Sequence, residues 1–152
     1  HLSTTAKLAH AWAFEHDEVG WNYRMPNINA ALGVAQLEQL PAFLAAKARL
    51  AERWQEVFAG MDGLRMFVPP DHVRSNHWLN ALILDPEYRH LRDEILDLTN
   101  HEGLMTRPVW KLMHRLPAFA DCPRMNLDVA VDLEQRIINI PSSAKLGGDA
   151  GG

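Results

Sequence analysis

The stretch from Gly20 to Leu40 constrains this chain more than any other, because a polar, aromatic loop runs in it directly into a helix. In its second half Ile28, Ala31, Leu32, Ala35 and Leu37 recur at three- and four-residue steps, with Asn27 placed to cap the first turn and Pro26 just before it. The spacing predicts a helix from about Asn27 towards Phe58, with a bend at Pro41, where the ring nitrogen has no hydrogen to donate. The first half sets Trp21, Asn22, Tyr23 and Arg24 side by side. Such side chains can hold a phosphate or a flat ring.

Beyond that helix the chain alternates between short apolar runs and breakers. Residues 1–26 read as mostly irregular, with Trp12, Phe14 and Trp21 as apolar anchors. Leu64 to Val68 reads as a strand set off by Gly60, Gly63, Pro69 and Pro70, and His77 to Leu84 as a second, ended by Asp85 and Pro86. Tyr88 to Glu102 is amphipathic, with Leu91, Ile95 and Leu98 on one face and Gly103 placed to end it. Met105 to Trp110 follows as a third strand or extended loop. Asn126 to Ile138 reads as a last helix that turns Leu127, Ala130, Leu133 and Ile137 inward. The expected architecture is a small α/β layer, three strands covered by helices. Residues 146–152, almost all Gly, Ala and Asp, read as a flexible tail.

Composition excludes several functions. A chain of 152 residues, 47% hydrophobic and 22% charged, has the length of one domain with one core. No apolar run reaches the roughly 18 residues that cross a bilayer. A net charge of -4 without a basic stripe argues against nucleic acid. Cys122 is the only cysteine, so no internal disulfide is possible, and a lone thiol fits the cytoplasm. The eight histidines are scattered, with no H-x-x-x-H or H-E-x-x-H pair, and no metal site is expected. Phosphate-loop, dinucleotide and serine-nucleophile motifs are absent as well.

Gly20, Asn22, Tyr23, Arg24 and Met25, followed by Ile28, Ala30, Ala31, Gln36 and Leu37, form a long pattern. It resembles the signature of the DegT/DnrJ/EryC1/StrS aminotransferases, pyridoxal-phosphate enzymes that aminate nucleotide-linked keto-sugars. His1 to Lys7 and His16 to Gly20 resemble that family's upstream stretch, Arg107 to Pro117 its loop near the active site, and Asn139 to Ser143 a short segment near the end of its fold. Within the family, Arg107 to Trp110, His114 and Asn139 to Ser143 are most similar to the branch that makes UDP-4-amino-4,6-dideoxy-N-acetylhexosamines. The resemblance implies the small C-terminal domain of a fold type I aminotransferase. Residues 1–26 would end an absent large domain, residues 27–145 would form the linking helix and small domain, and residues 146–152 the tail.

The resemblance also implies roles for single residues, each with a plainer alternative. Asn22 aligns with the asparagine that reaches the cofactor phosphate of the neighbouring subunit, which would make a homodimer with shared active sites; a loop asparagine bonding its own backbone is the alternative. Arg24 aligns with the position that grips the substrate diphosphate, and Arg107 is a second candidate, each against the alternative of a surface or strand-end charge. His114 stands where many relatives read Pro-Leu-His and would donate to sugar or phosphate, or simply pack. Trp110 would form an apolar wall beside the sugar, or belong to the core.

The implied activity moves an amino group from glutamate to a UDP-linked 4-keto-6-deoxyhexosamine, with pyridoxal phosphate as carrier. Such transfer needs a lysine to hold the cofactor. None of Lys7, Lys47, Lys111 and Lys145 sits in a context like the family's serine-rich lysine segment, so the chain reads as a fragment that is inactive alone. The other expectations left open are a dimerisation or binding module without catalysis and a sugar 3-dehydratase of the same family.

Overall fold

A computed structural model of the chain describes residues 25–148. The chain divides into two compact units, His1–Leu40 and Pro41–Gly152. In the first, helix α1 (Asn27–Phe58) begins. The Pro26 carbonyl accepts from the Ala30 amide at 3.0 Å, so Asn27 lies in the first turn instead of capping it. Ile28, Leu32, Val34 and Leu37 are all exposed. The helix is unbroken through Pro41, which leaves the Leu37 carbonyl without its usual donor.

The second unit contains a four-stranded antiparallel sheet in the order β1 (Leu64–Met66), β2 (Asn80–Leu84), β4 (Ile137–Ile140), β3 (Arg107–Pro108). Helix α2 (Arg92–His101) follows β2 through a 3-10 turn, and helix α3 (Asp128–Glu134) precedes β4. One core joins Met66, Leu82, Leu84, Ile138 and Ile140, with Trp54 and Phe58 of α1 and Ile95 and Leu96 of α2 packed on it. Trp54 and Phe58, one helical turn apart, stack at 5.8 Å, and the Trp54 indole donates to the Pro141 carbonyl at 3.0 Å. This is an α/β domain, as its sequence implies.

Among the described residues the sheet has four strands instead of the expected three. Ile137–Ile140, of which the sequence pattern assigns Ile137 and Ile138 to the last helix, is a central strand paired on one side with β2 and on the other with β3. Leu127, Ala130, Leu133 and Ile137 do keep helical spacing, but the helix stops at Glu134, where Gln135 and Arg136 close it with tighter bonds to Asp132 and Leu133. A β-branched run then gains two ladders as a strand, which it would forgo as a helix. The second expected strand is shorter than predicted. His77 has φ of 49°, a left-handed backbone that ends any extended run, so β2 starts only at Asn80. Gly103 ends α2 as expected, at φ of 79° with the Leu104 amide donating back to Thr99. At the chain end Leu146 and Gly147, assigned to the tail, lie in a last 3-10 turn (Ala144–Gly147), and Gly147 is buried.

The α3–β4 junction is held by charge. Arg136 donates to the Asp132 carboxylate and, at 2.6 Å, to the Leu84 carbonyl of β2. Hydrogen bonds from Arg136 hold the Asp132 carboxyl below its ordinary 3.8, with the Arg136 and Arg89 charges adding to the effect against partial desolvation. A depressed folded pKa contributes stability that is present above the ordinary value and is lost as pH falls through the lowered one. The thermal midpoint of the native protein is therefore expected to fall more steeply below pH 3.8 than that of Asp132→Asn, with parallel profiles above about pH 5. Profiles parallel down to strongly acid pH would remove Asp132 from this role.

Candidate functional site

The segment from Arg107 to Leu127 carries three of the five residues singled out in the sequence, and the fold sends them to different neighbours. Arg107 opens β3, opposite Asn139 of β4. Its guanidinium donates to the Asn100 side chain at 2.6 Å and to the Thr106 carbonyl at 2.8 Å. That ties the edge strand to the end of α2, as a strand-end charge would. Asn100 in turn donates to Thr106, whose hydroxyl lies 2.6 Å from that of Thr99.

Trp110 is not core. It is 68% exposed and stacks on Trp78, itself 65% exposed, with centroids 5.7 Å apart and planes 28° from parallel. Two large rings side by side at the surface form an apolar, π-rich platform. The loop bearing Trp78 is held from both ends: Trp78 donates its amide to Asn76 at 3.0 Å, and the Lys47 ammonium donates to the carbonyls of Trp78 and Ser142. Partial burial pulls the Lys47 pKa below its ordinary value.

His114 sits in a 3-10 turn (Met113–Arg115) on an apolar groove of about 350 Å³, lined also by Phe119, Cys122, Arg124 and Leu127. Glu134, at the end of α3, is buried and faces this turn. One of its oxygens accepts from the Leu112 amide at 3.2 Å, and the other lies 2.5 Å from the Arg115 guanidinium. The latter contact is an ion pair whose alignment leaves that oxygen without a hydrogen bond.

Asn22 and Arg24 lie outside the described residues. Trp78 and Glu134 escaped the sequence reading. Trp78 is 32 positions from its ring partner and Glu134 is 22 from the amide it accepts, so no local periodicity links either pair. Among the described residues no three His, Cys, Asp or Glu side chains converge as a metal site would require, and no helix is long and apolar enough to cross a membrane. Lys47 donates to two backbone carbonyls, those of Trp78 and Ser142.

Comparison with known proteins places this geometry. The model of the DegT/DnrJ/EryC1/StrS aminotransferase family matches residues 3–150. GDP-perosamine synthase of Vibrio cholerae is 31% identical over 128 residues, covering 84% of this chain and 35% of that protein. Other relatives are named as dTDP-sugar and UDP-sugar transaminases. Helicobacter pylori PseC, an aminotransferase involved in the biosynthesis of pseudoaminic acid, shares the fold at a TM-score of 0.82 and 19% identity, over 94% of this chain and 39% of its own. The fold is shared too by an E. coli GDP-4-keto-6-deoxy-D-mannose-3-dehydratase with bound hydrated PLP, at a TM-score of 0.70 and 19% identity, over 86% of this chain and 34% of that one. The chain spans about a third of the length of the curated relatives it matches.

Proposed function

The chain belongs to the DegT/DnrJ/EryC1/StrS aminotransferase family, and from that premise we propose that it is the C-terminal portion of an enzyme that aminates a nucleotide-linked 4-keto-6-deoxy sugar. The family match across residues 3–150 carries this reading. Glutamate gives up its amino group and leaves as 2-oxoglutarate, and the sugar ketone becomes an amine. Pyridoxal phosphate supplies the carrier for that group when bound, on a lysine expected outside this chain. By itself the chain is expected to be inactive.

The residues of this chain bind and orient. Asn22 donates to the cofactor phosphate of a neighbouring subunit, and Arg24 grips the diphosphate of the nucleotide. Trp110, backed by Trp78, walls the apolar side of the sugar, and His114 donates to a sugar hydroxyl or phosphate oxygen. Holding the ketone in this way converts a bimolecular encounter into an oriented one. Arg107, bonded to Asn100 and Thr106, keeps the edge strand in place and leaves the diphosphate to Arg24. Exposed Ile28, Leu32 and Leu37 suit a homodimer, in which each subunit completes the other's site.

On the motif resemblance, the carrier nucleotide is UDP and the sugar an N-acetylhexosamine. A second reading has support from similarity. The GDP-perosamine synthase matches over 84% of the chain at 31% identity, against 61% at 26% for a UDP-sugar transaminase. That favours a GDP-linked hexose. The test is the visible absorbance of the cofactor-loaded, full-length protein. Glutamate is expected to bleach it, and the matching 4-keto-6-deoxy sugar, offered in turn on UDP, GDP and dTDP, to restore it. A full-length protein without the absorbance of a lysine-bound cofactor imine would instead favour the 3-dehydratase, and failure to take up cofactor a dimerisation module.

A further inference from the structure

We propose that Glu134 is a positioning residue, which sets His114 against the nucleotide-sugar; this rests on the substrate-binding role given to His114 above. The buried carboxylate grips the turn at two points, the Leu112 amide at 3.2 Å and the Arg115 guanidinium at 2.5 Å. Those two residues bracket His114 on either side. The grip comes from a rigid base. The Glu134 carbonyl accepts from Arg92 at 2.7 Å, Arg136 ties the following residues to Leu84 of β2, and β4 begins three residues after Glu134. The His114 turn, by contrast, is a short 3-10 turn followed after Leu116 by another (Pro117–Phe119), without a strand or long helix of its own. A short turn of this kind has many backbone states of similar energy. A buried carboxylate selects the one in which the Leu112 amide and the Arg115 guanidinium turn towards it, and with them the direction of the imidazole.

Burying a carboxylate beside an apolar groove is costly, and a purely structural site would be served as well by an apolar side chain. The arrangement is explained if the geometry of the turn matters to the substrate. Glu134 then acts through His114 and touches no substrate itself.

The experiment uses the cofactor-loaded, full-length enzyme and whichever of the UDP-, GDP- or dTDP-linked keto-sugars it accepts. His114→Ala and Glu134→Ala are each expected to raise the KM for the nucleotide-sugar about tenfold, and Glu134→Ala is expected to leave the half-reaction with glutamate at its native rate. The double variant is expected to be no worse than His114→Ala, because a positioning residue has nothing left to position. Glu134→Gln retains an acceptor for the Leu112 amide and loses only the charge opposite Arg115. It is expected to fall between, with KM raised about threefold, and it carries the test if Glu134→Ala does not fold. If His114→Ala raises KM but the Glu134 variants do not, or if the effects multiply in the double variant, Glu134 does not position His114 although His114 binds substrate. If the glutamate half-reaction falls in step with KM, Glu134 merely supports the fold. Should His114→Ala leave KM unchanged while the enzyme still aminates the keto-sugar, both His114 and Glu134 lose these roles and the overall activity stands.

Discussion

Ile138→Ala is expected to destabilise the sheet by about 2 to 5 kcal/mol, as truncation of a fully buried isoleucine does in a core that cannot close. Ile138 is 1% exposed and lies on β4, opposite Leu82 of β2 and Pro108 of β3. Ladders on both sides fix the backbone, so it cannot shift to fill the space. An apolar cavity of about 290 Å³ already lies against this side chain, between the sheet and residues such as Trp54, Phe58 and Ile95. Few neighbouring atoms are therefore placed to move in. Hydrogen exchange at the amides of β2 and β4 reads the loss strand by strand, even if the domain is embedded in a longer protein. Ile138→Val should cost only about 0.5 to 1.5 kcal/mol. A loss below 1 kcal/mol for the alanine variant would show that α1 and α2 settle onto the sheet without it.

Gly147→Ala is expected to detach the end of the chain from α1. A Cβ on Gly147 would stand 1.9 Å from the Ala46 carbonyl oxygen and 2.7 Å from its carbon. Both are helix backbone and cannot rotate aside as a flexible side chain could. The methyl group can be admitted only if the 3-10 turn at Ala144–Gly147 swings outward, which breaks the bond from the Arg49 guanidinium to the Gly147 carbonyl at 3.2 Å. Overpacking of this kind costs about 1 to 3 kcal/mol, concentrated here in one segment. Limited digestion with trypsin gives the readout: faster cleavage after Lys145 in the variant, with the sheet unaffected. Unchanged cleavage would mean that the turn does not need this close approach.

These two positions also mark what a sequence conceals. Gly147 stands in a glycine-rich stretch that has the composition of a tail, and its packing role depends on Ala46, a hundred residues earlier. Ile138 directly follows a helical spacing that runs from Leu127 to Ile137, and what makes it a strand is the pair of partners waiting on either side. The candidate site divides in the same way. His114 and Trp110 were found from a local motif. Trp78, which gives Trp110 its ring partner, and Glu134, which grips the His114 turn, came only from the folded chain.

The sequence by itself determined the family, the long helix α1, the end of α2 at Gly103 and the breakers around β1 and β2. All of these are local matters: helix hydrogen bonds join residues four apart, and glycine or proline acts on its own backbone. The tertiary structure alone decided the fourth strand and its place between β2 and β3. It also decided the late start of β2, the commitment of Arg107 to α2, and the buried carboxylate behind His114. Each of these depends on contacts between residues distant in the chain. A strand's hydrogen bonds and a buried charge's partner are supplied by other segments, and their energies exist only once those segments have met.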